Sequence, residues 1–398
     1  MKSRIITRSI LILSFVSMFT DISSEMLYPV MPVYLKEIGF SVFLIGILEG
    51  MAEATAGLSK GYFGKLSDSS GKRLPFVRWG YFLSTISKPM MAVFIFPLWI
   101  FFARTLDKFG KGLRTGARDA MLSAETSSEH KGKVFGFHRG MDTFGAVLGP
   151  VAALIYLHFF PKDYATLFFI AFAPGIISVL LTFLLNDKSQ IKQFGQTNHK
   201  SFYPSFLSFT KYWKESSPEY RKLIFGLLLF ALFNSSDIFL LLKVKNAGMD
   251  DATVIKVYIF YNLVYAITSF PLGILADRIG LKIIFVCGLI IFAGVYFGMS
   301  VNTNSIMFYV LFFGYGLYAS ATEGISKAWI TNIAEKKDTA TAIGTYTAFQ
   351  SLCAMSASTI TGIIWYKTNA EIALMVSAVF TVIIVFYFVL LVPSGKRK

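Results

Sequence analysis

Charged side chains within one long, mostly apolar segment are the groups of this sequence best suited to chemistry. They follow one another mostly at three- and four-residue steps: Arg104, Asp107, Lys108, Lys111, Arg114, Arg118 and Asp119. In a helix, these residues fall within an arc of about 140°, with Phe102, Leu106 and Phe109 on the opposite side. A cation at the middle of a bilayer costs about 2.5–3.5 kcal/mol on insertion scales. The basic face is therefore expected to line a watery cavity or to meet carboxylates.

Carboxylates in neighbouring apolar segments could supply those partners. They are Asp21, Glu25, Glu49, Glu53 and Asp142, and one further cation, Lys88, lies near the middle of its segment. Two interpretations stay open. The residues form an ion-pair network that neutralises the basic face, or one or two carboxylates take up and release a proton, because burial and a departing cation both favour the neutral acid. For the second role we prefer Asp21 and Glu53, which lie near the middle of their segments.

The second half of the chain carries far fewer charges. With the 209-residue offset of the repeat described below, Glu25, Glu53 and Arg104 correspond to uncharged residues, namely Asn234, Asn262 and Phe313. An aromatic, hydrogen-bonding wall is expected there, although ordinary packing is the more frequent role of any single tyrosine. The candidate substrate-binding residues of both halves are Lys88, Arg104, Lys108, Lys111, Arg114, Asn234, Asp237, Tyr258, Tyr261 and Asn262. Because Arg and Lys pair naturally with carboxylates, these residues favour a small anionic or zwitterionic organic substrate.

The segments that carry these residues have the composition of a membrane protein. Hydrophobic residues make up 55% of the 398 residues and charged residues only 15%, whereas soluble domains carry about a quarter. Apolar runs recur at roughly the 20-residue length that crosses a bilayer as a helix. Twelve spans are predicted, at 9–35, 42–63, 75–96, 98–122, 133–157, 164–185, 222–242, 253–272, 282–300, 306–330, 341–365 and 370–392.

A polar motif is repeated between these spans. Gly-x-Leu-x-Asp-x-x-Gly occurs at 64–71 and again at 273–280, which lies 209 positions later and indicates two copies of one unit. The motif resembles the loop between helices 2 and 3 of the major facilitator superfamily, with its echo between helices 8 and 9. The resemblance implies an all-α membrane protein with twelve transmembrane helices in two pseudo-symmetric six-helix bundles. The bundles would be residues 1–186 and 222–398, joined by a cytoplasmic linker at 187–221.

The same resemblance implies that the repeated motif acts as a gate. Asp68 is expected at the start of helix 11, where the helix dipole favours a negative charge, and Gly64 lets helices close on one another. The family's usual basic residue after the aspartate is Ser69 in the first copy and is kept as Arg278 in the second. The gating candidates are Gly64, Asp68, Gly71, Arg73, Gly145, Gly149, Pro150, Gly273, Asp277 and Arg278.

One further segment resembles a signature of exporters within the family. Gly145, Gly149 and Pro150 form Gly-x-x-x-Gly-Pro, which is associated with antiport, although a generic small-residue packing face explains the glycines equally well. Arg104 with the later Gly110 is similar to the family's helix 4 motif. The family usually has a neutral polar residue and a glycine at the intervening Asp107 and Lys108, so this chain is more charged than the common pattern.

The distribution of basic residues predicts orientation in the membrane. They concentrate in alternate loops, with Lys243, Lys245 and Lys256 as the exception, and the positive-inside rule then places both termini and the linker in the cytoplasm of a bacterial inner membrane. Nucleic acid is not needed to explain the net charge of +15. The four histidines show no ligand spacing and both cysteines lie in predicted spans, so no metal, cofactor or disulfide is expected.

The expected function is secondary transport and not enzymatic catalysis, since no catalytic signature occurs. We expect a monomer in the lipid bilayer that moves a small molecule, such as a metabolite, a siderophore-like chelator or a drug, by alternating access. Export in exchange for protons is favoured. A proton-coupled importer of an organic anion is the alternative, and a receptor that binds without transport is the alternative from another class.

Overall fold

The computed structural model describes residues 5–28, 30–40, 42–186, 208–249 and 251–393, and within these ranges it is helical without strands. The first helices are α1 (Arg8–Leu27), α2 (Met31–Glu37), α3 (Val42–Ser70), α4 (Leu74–Val93), α5 (Pro97–Ala124), α6 (Lys131–Phe159) and α7 (Tyr164–Thr182). They are followed by α8 (Tyr212–Glu215), α9 (Pro218–Ala231), α10 (Ile238–Asn246), α11 (Asp251–Ile279), α12 (Leu281–Val301), α13 (Ser305–Ile333), α14 (Thr339–Lys367) and α15 (Ala370–Leu391).

Ten of the predicted spans correspond to one helix each, namely α3 to α7 and α11 to α15. Spans 1 and 7 are each divided into two helices, α1 with α2 and α9 with α10. In the first, Pro29 separates the two helices in sequence, and proline cannot donate the next helical hydrogen bond. In the second, the separating stretch includes Asn234, Ser235, Ser236 and Asp237, whose side chains compete with the helix for backbone hydrogen bonds.

The two breaks lie near each other in the repeat and coincide at one position. The 209-residue offset relates Tyr28, which follows α1, to Asp237, which precedes α10. Matching interruptions in the two halves of a transporter point to its binding region, because a broken helix exposes backbone groups that can hold a ligand. Predicted spans 1 and 7 are continuous, so these breaks are new information from the structure.

Seven helices of the described chain are long and apolar enough to cross a membrane by composition alone: α1, α6, α7, α11, α12, α13 and α15. The remaining predicted spans fall short for identifiable reasons. The helices α3, α4 and α5 carry the charged residues, α14 is rich in Ala, Thr, Gly and Ser, and α9 has only 14 residues. Hydropathy therefore undercounts spans that carry polar groups.

The chain forms two compact units. Unit 1 comprises the described residues within Met1–Thr126, Met141–Glu215 and Ala334–Ala348. In it α4 packs against α5 and α7, α3 against α5, and α1 against α7. The main chains of α4 and α5 meet at Gly80 and Gly110, where a Cβ on either residue would lie 2.7 or 2.6 Å from the carbonyl oxygen of the other. This contact brings the charged face of α5 against α4.

Unit 2 comprises the described residues within Ser127–Gly140, Ser216–Ile333 and Phe349–Lys398. Here α13 packs against α11 and α12, and α12 packs against α15. Its core includes Phe285, Trp329 and Phe388, whose rings lie 4.9–6.1 Å apart. The first turns of α6 belong to unit 2 and those of α14 to unit 1. The predicted boundaries at 186 and 222 stay a prediction.

The end of the linker packs against unit 1, whereas residues 187–207 lie outside the described chain. Phe209 is buried, its ring occupies the space that a Cβ on Gly61 of α3 would need, and its carbonyl oxygen accepts a hydrogen bond from Thr345 Oγ1 at 3.3 Å. Burial, with the nearby carboxylate of Asp338, raises the pKa of the Tyr212 phenol. The aromatic residues at the end of the linker are thus core residues of unit 1, and not only a tether.

Candidate functional site

The charged face of α5 is divided between buried and accessible groups. Arg104, Arg114 and Arg118 are buried, together with Asp107 and Asp119. Lys108 is partly buried, whereas Lys111 is exposed. A helix inside a bundle produces this division, because only part of a wide polar face can lie against neighbouring helices.

The innermost part is an ion-pair cluster between α4 and α5. Lys88 Nζ lies 3.0 Å from Asp107 Oδ1, and Arg104 Nη1 lies 3.4 Å from Asp107 Oδ2. Ser84 Oγ donates a hydrogen bond of 3.0 Å to the carbonyl oxygen of Asp107. Asp107, noted above only as a departure from the family pattern, is the carboxylate that pairs with two of the predicted binding cations.

The remaining arginines of α5 also have partners within unit 1. Arg114 Nη1 donates to Ser84 Oγ at 2.6 Å, and its guanidinium lies 4.5 Å from the ring centre of Tyr81. Arg118 Nε donates to Asp119 Oδ1 at 2.9 Å. Arg118 Nη1 also donates to Ser17 Oγ at 3.2 Å, and Ser17 in turn donates to Asp142 Oδ1. These contacts connect α5 with α1, α4 and α6.

The predicted proton carriers have different surroundings. Glu53 Oε2 lies 2.7 Å from Lys108 Nζ, in an ion pair whose acidic side chain is 49% exposed. Asp21 is partly buried on α1, and its Cβ lies 3.1 Å from the place where a Cβ on Gly145 would be. Asp142 is buried beside Ser17. The side chain of Glu49 lies outside the described part of the structure.

Glu25 and Lys111 form what we call the open pair, an acid and a base that attract each other without direct contact. Glu25 is partly buried, and Lys111 is the charged group that acts on it most strongly, followed by Lys108. Within the described residues neither the Glu25 carboxylate nor the Lys111 ammonium has a hydrogen-bond or ion-pair partner. The two groups attract each other electrostatically without contact, so both can still receive a ligand.

The glycines of the exporter-like segment hold α6 against α1. A Cβ on Gly145 would overlap the carbonyl oxygen of Met18, and one on Gly149 would lie 2.7 Å from the carbonyl oxygen of Ile22. Pro150 follows within α6 and removes one helical hydrogen-bond donor there. Because α1 carries Asp21 and Glu25, this contact sets the position of two predicted proton carriers.

Unit 2 contains a second polar cluster, built around Asp237 at the break between α9 and α10. Tyr261 and Tyr315 donate hydrogen bonds of 2.7 and 2.6 Å to the two carboxylate oxygens. Asn234 Nδ2 donates to Tyr318 OH at 2.9 Å. The sequence analysis missed Tyr315 and Tyr318, although their three-residue spacing on one helix face was a usable signal.

The other predicted residues of unit 2 are less central. Asn262 Nδ2 bonds back to the carbonyl oxygen of Tyr258, one turn earlier in its own helix, at 3.0 Å. The ring of Tyr258 packs against Tyr261 with 5.7 Å between ring centres.

Unit 2 also contains a polar cluster around Arg139, which was not among the predicted site residues. Arg139 Nε donates a hydrogen bond to Tyr265 OH, and Arg139 Nη2 lies 3.7 Å from Glu323 Oε2.

The first copy of the repeated motif contacts the start of α14, as the family resemblance implied. Asp68 Oδ2 accepts hydrogen bonds from the Thr341 backbone amide at 2.6 Å and from Thr341 Oγ1 at 2.8 Å. Arg73 lies 3.6 Å from Asp68 Oδ1 and donates to the carbonyl oxygen of Ala120 at 2.9 Å. A Cβ on Gly64 would overlap the carbonyl oxygen of Ala340. The contact satisfies amides at a helix start that have no partner inside the helix.

The second copy repeats this arrangement within unit 2. Asp277 accepts hydrogen bonds from the backbone amides of Gly132 and Lys133, at 2.8 and 2.7 Å, in the first turn of α6. A Cβ on Gly273 would overlap the carbonyl oxygen of Gly132, and the Arg278 side chain is exposed.

The final glycine of each motif has positive φ, 65° at Gly71 and 118° at Gly280, which terminates the preceding helix in a conformation that favours glycine. The two copies of the motif therefore share both their helix ending and their carboxylate contact with a helix start.

A bundle of long apolar helices that carries buried charge clusters and two matching helix breaks defines a multi-pass membrane transporter. The family comparison specifies the class: a model described as Major Facilitator Superfamily matches residues 13–260 and 244–398. The chain belongs to the Major Facilitator Superfamily, whose members are transporters of small molecules and not enzymes. The twelve-helix prediction and the repeated-motif resemblance are confirmed at this level.

One relative along nearly the whole chain carries the same family description. The chain is 28% identical over 388 residues to an uncharacterized MFS-type transporter, MJ1317, of Methanocaldococcus jannaschii, covering 96% of this chain and 94% of the relative. An uncharacterized Mycobacterium tuberculosis protein, Rv2265, is 25% identical over 182 residues, 46% of this chain and 44% of the relative.

Solved structures of the same fold include two transporters. The human organic anion transporter MFSD10 (TETRAN) has a TM-score of 0.78 at 12% identity, covering 96% of this chain and 99% of that one. The transporter FucP in its outward conformation has a TM-score of 0.77 at 11% identity, covering 97% and 99%. At these identities the likeness concerns the fold alone.

Proposed function

We propose that this protein exports a small zwitterionic or anionic organic solute in exchange for protons, by alternating access. The observation that carries the proposal is the open pair of Glu25 and Lys111, which leaves one acid and one base of unit 1 without partners in the described chain. A zwitterion satisfies both, because its carboxylate binds an ammonium and its own cationic group binds a carboxylate.

Antiport follows from competition at Glu25. When the cationic group of a substrate binds the Glu25 carboxylate, it displaces the proton that burial would otherwise favour. Proton and substrate then cannot occupy the carboxylate together, which is the thermodynamic basis of exchange. Glu25 replaces Asp21 and Glu53 as our preferred proton carrier, since Glu53 is already paired with Lys108 at 2.7 Å.

The helix that carries Glu25 supports this assignment. Gly149 lies against the main chain of α1 at Ile22 and Met26, directly beside Glu25. We infer that the Gly145–Pro150 segment transmits the protonation state of Glu25 into a movement of α6. The contacts of Asp68 with Thr341 and of Asp277 with Gly132 would then form and break as gates.

A second candidate function is import of a purely anionic solute together with protons. It is favoured by the basic excess around Lys108 and Lys111, where Glu53 is the paired carboxylate. An anion bound at Lys111 would be repelled by an ionised Glu25, so anion and proton would bind together and travel in the same direction. The sign of the coupling therefore distinguishes the two candidates.

The decisive experiment measures proton movement in proteoliposomes. A thermal-shift screen of zwitterions and organic anions at two pH values first identifies a ligand of the purified protein. Its transport is then followed with an internal pH dye. We expect substrate and protons to move in opposite directions, and movement in the same direction supports the importer. A transport rate that does not depend on an imposed pH gradient would contradict proton coupling. Ligand binding without transport would indicate a receptor.

Single-residue variants test whether Glu25 and Lys111 couple proton movement to substrate movement. Glu25→Gln is expected to keep substrate exchange but to lose its dependence on the pH gradient. Lys111→Gln is expected to weaken the apparent affinity about tenfold, the loss of one charge-assisted bond. The matched control is Lys367→Gln, at the end of α14, which should behave like the unmodified protein. Normal transport by Lys111→Gln would remove Lys111 from the substrate site.

We also propose the cellular arrangement that the sequence predicted. The protein is a multi-pass membrane protein, and the basic residues of the repeated motif support an inner-membrane location with both termini in the cytoplasm. We propose that it works as a monomer, with six-helix bundles at 1–186 and 222–398 and the 187–221 linker between them.

A further inference from the structure

The break between α9 and α10 contains an acidic group whose charge is not balanced by a base. Asp237 lies in the middle of predicted span 7, and both its carboxylate oxygens accept hydrogen bonds from neutral tyrosine hydroxyls. In the described chain it makes no ion pair with a basic side chain, and the charged group that acts on it is Glu323, which is itself an anion. A carboxylate in membrane surroundings usually has a cationic partner.

Oxygen atoms with incomplete hydrogen bonding surround this carboxylate. The Ser235 and Tyr296 side chains are 3% and 0% exposed, and the Tyr296 hydroxyl lies close to those of Ser235 and Tyr315 without a well-aligned hydrogen bond in the described structure. Asn234 Oδ1 accepts no hydrogen bond there either. Buried polar atoms normally make well-formed hydrogen bonds, so these oxygens indicate an occupant.

The helix break also brings helix ends to this carboxylate. The carbonyl oxygens of Leu228 and Phe230, at the end of α9, accept hydrogen bonds from main-chain amides of the break. Asp237 is the N-cap of α10, whose first amides carry a partial positive charge. Half-helix ends of this kind lie at ion sites in transporters with discontinuous helices. The start of α10 therefore offsets part of the negative charge of Asp237, and the ligands for a cation must come from the side-chain oxygens.

We propose that unit 2 holds a site for a small monovalent cation, Na⁺, formed by Asp237 with the oxygens of Asn234, Ser235 and Tyr296. A single carboxylate balances one positive charge. All the available ligands are oxygens, which suit hard cations. Ser235 and Tyr296 are buried, and Asn234 and Asp237 are partly buried, which favours a bare ion over a bulkier organic ammonium.

A proton is the competing occupant of the same site. A protonated Asp237 keeps the hydrogen bonds from Tyr261 and Tyr315 and donates its own to one neighbouring oxygen. A bound cation also leaves those hydrogen bonds in place, and it engages several of the surrounding oxygens at once. This site is independent of Glu25 and Lys111, and it stands or falls separately from the proposed exchange of protons.

Thermal unfolding of the purified full-length protein tests the site without any transport. NaCl is varied at pH 8 while KCl keeps the ionic strength constant, and parallel series use choline chloride or a fall in pH. We expect Na⁺ to raise the melting temperature by several degrees with saturation, because ligand that binds the folded state stabilises it. Asp237→Asn should abolish the effect. Ser235→Ala and Tyr296→Phe should each raise the half-saturating Na⁺ concentration about tenfold.

Matched controls and alternative outcomes keep the proposal testable. Tyr309→Phe removes a hydroxyl from α13 outside the cluster and should retain the full response to Na⁺. An equal response to K⁺ or choline, a response only to pH, or a Na⁺ response that survives Asp237→Asn would each overturn the assignment. If Asp237→Asn fails to fold, binding of radioactive ²²Na⁺ to the unmodified, Ser235→Ala and Tyr296→Phe proteins decides the question. Binding that is equal in all three overturns the assignment.

Discussion

The two units accommodate polar groups between apolar helices with different chemistry. In unit 1, Asp107 pairs with Lys88 and Arg104 in an ion-pair cluster. In unit 2, the positions equivalent to Arg104 and Asp107 are Phe313 and Gly316, and the acid Asp237, on another helix, is held by neutral tyrosine hydroxyls. A charge network depends on every member, because the loss of one leaves another charge buried and alone. A hydroxyl network loses only one hydrogen bond at a time.

The largest expected effect is the removal of the central carboxylate of unit 1. Asp107→Asn leaves the buried Lys88 ammonium without its carboxylate, which should destabilise the protein by about 3–5 kcal/mol. The measurement is thermal unfolding in detergent, followed by tryptophan fluorescence, together with the yield of monodisperse protein. The double variant with Lys88→Met should recover most of the loss. If the double variant is as unstable as Asp107→Asn alone, the cluster does not act as a charge network.

A smaller effect is expected when the tyrosines of unit 2 lose their hydroxyls. Tyr315→Phe and Tyr261→Phe each remove one hydrogen bond to the Asp237 carboxylate, which should lower stability by about 1.5–3 kcal/mol. Tyr309→Phe is the matched control and should be neutral. Unfolding measured at a fixed NaCl concentration checks the effect. A loss of stability as large as that of Asp107→Asn would mean that the hydroxyl network of unit 2 is as sensitive as the charge network of unit 1.

The smallest expected effect compares the two copies of the repeated motif. Gly64→Ala and Gly273→Ala each add a methyl group that overlaps a carbonyl oxygen, of Ala340 or of Gly132, and each should cost about 1–3 kcal/mol. Gly294→Ala on α12 has no heavy atom within 4 Å of the added methyl and should leave the melting temperature unchanged or slightly higher. A loss in only one copy would mean that the two motif contacts are not equivalent in this conformation.

The sequence predicted the helices well because spanning a membrane imposes a strong length and composition rule. All twelve predicted spans correspond to helices of the structure. The breaks in spans 1 and 7 escaped prediction, since apolar residues flank each break and the window of a membrane span averages over the short interruption. At 234–237 the Asn-Ser-Ser-Asp stretch was a local signal of a helix end.

The partners of the charged residues were harder to predict than their positions. The spacing on α5 predicted one polar face, but which side chain meets which depends on how α4 and α5 cross at Gly80 and Gly110. The pairing of Lys88 with Asp107 follows from that crossing and from no local pattern. The contact of Asp68 with Thr341 was predicted only through the family resemblance, because the two residues lie 273 positions apart.

The contact between α6 and α1 has a consequence for genetic screens. The nearest α1 atoms to Gly145 and Gly149 are main-chain atoms of Met18, Ile22 and Met26, and the Asp21 Cβ lies slightly farther from Gly145. Trimming a side chain on α1 therefore does not relieve the overlap made by a bulky substitution, since every amino acid presents the same carbonyl and amide there. Suppressor mutations for these positions should instead map to helices whose repacking lets α1 move away as a whole.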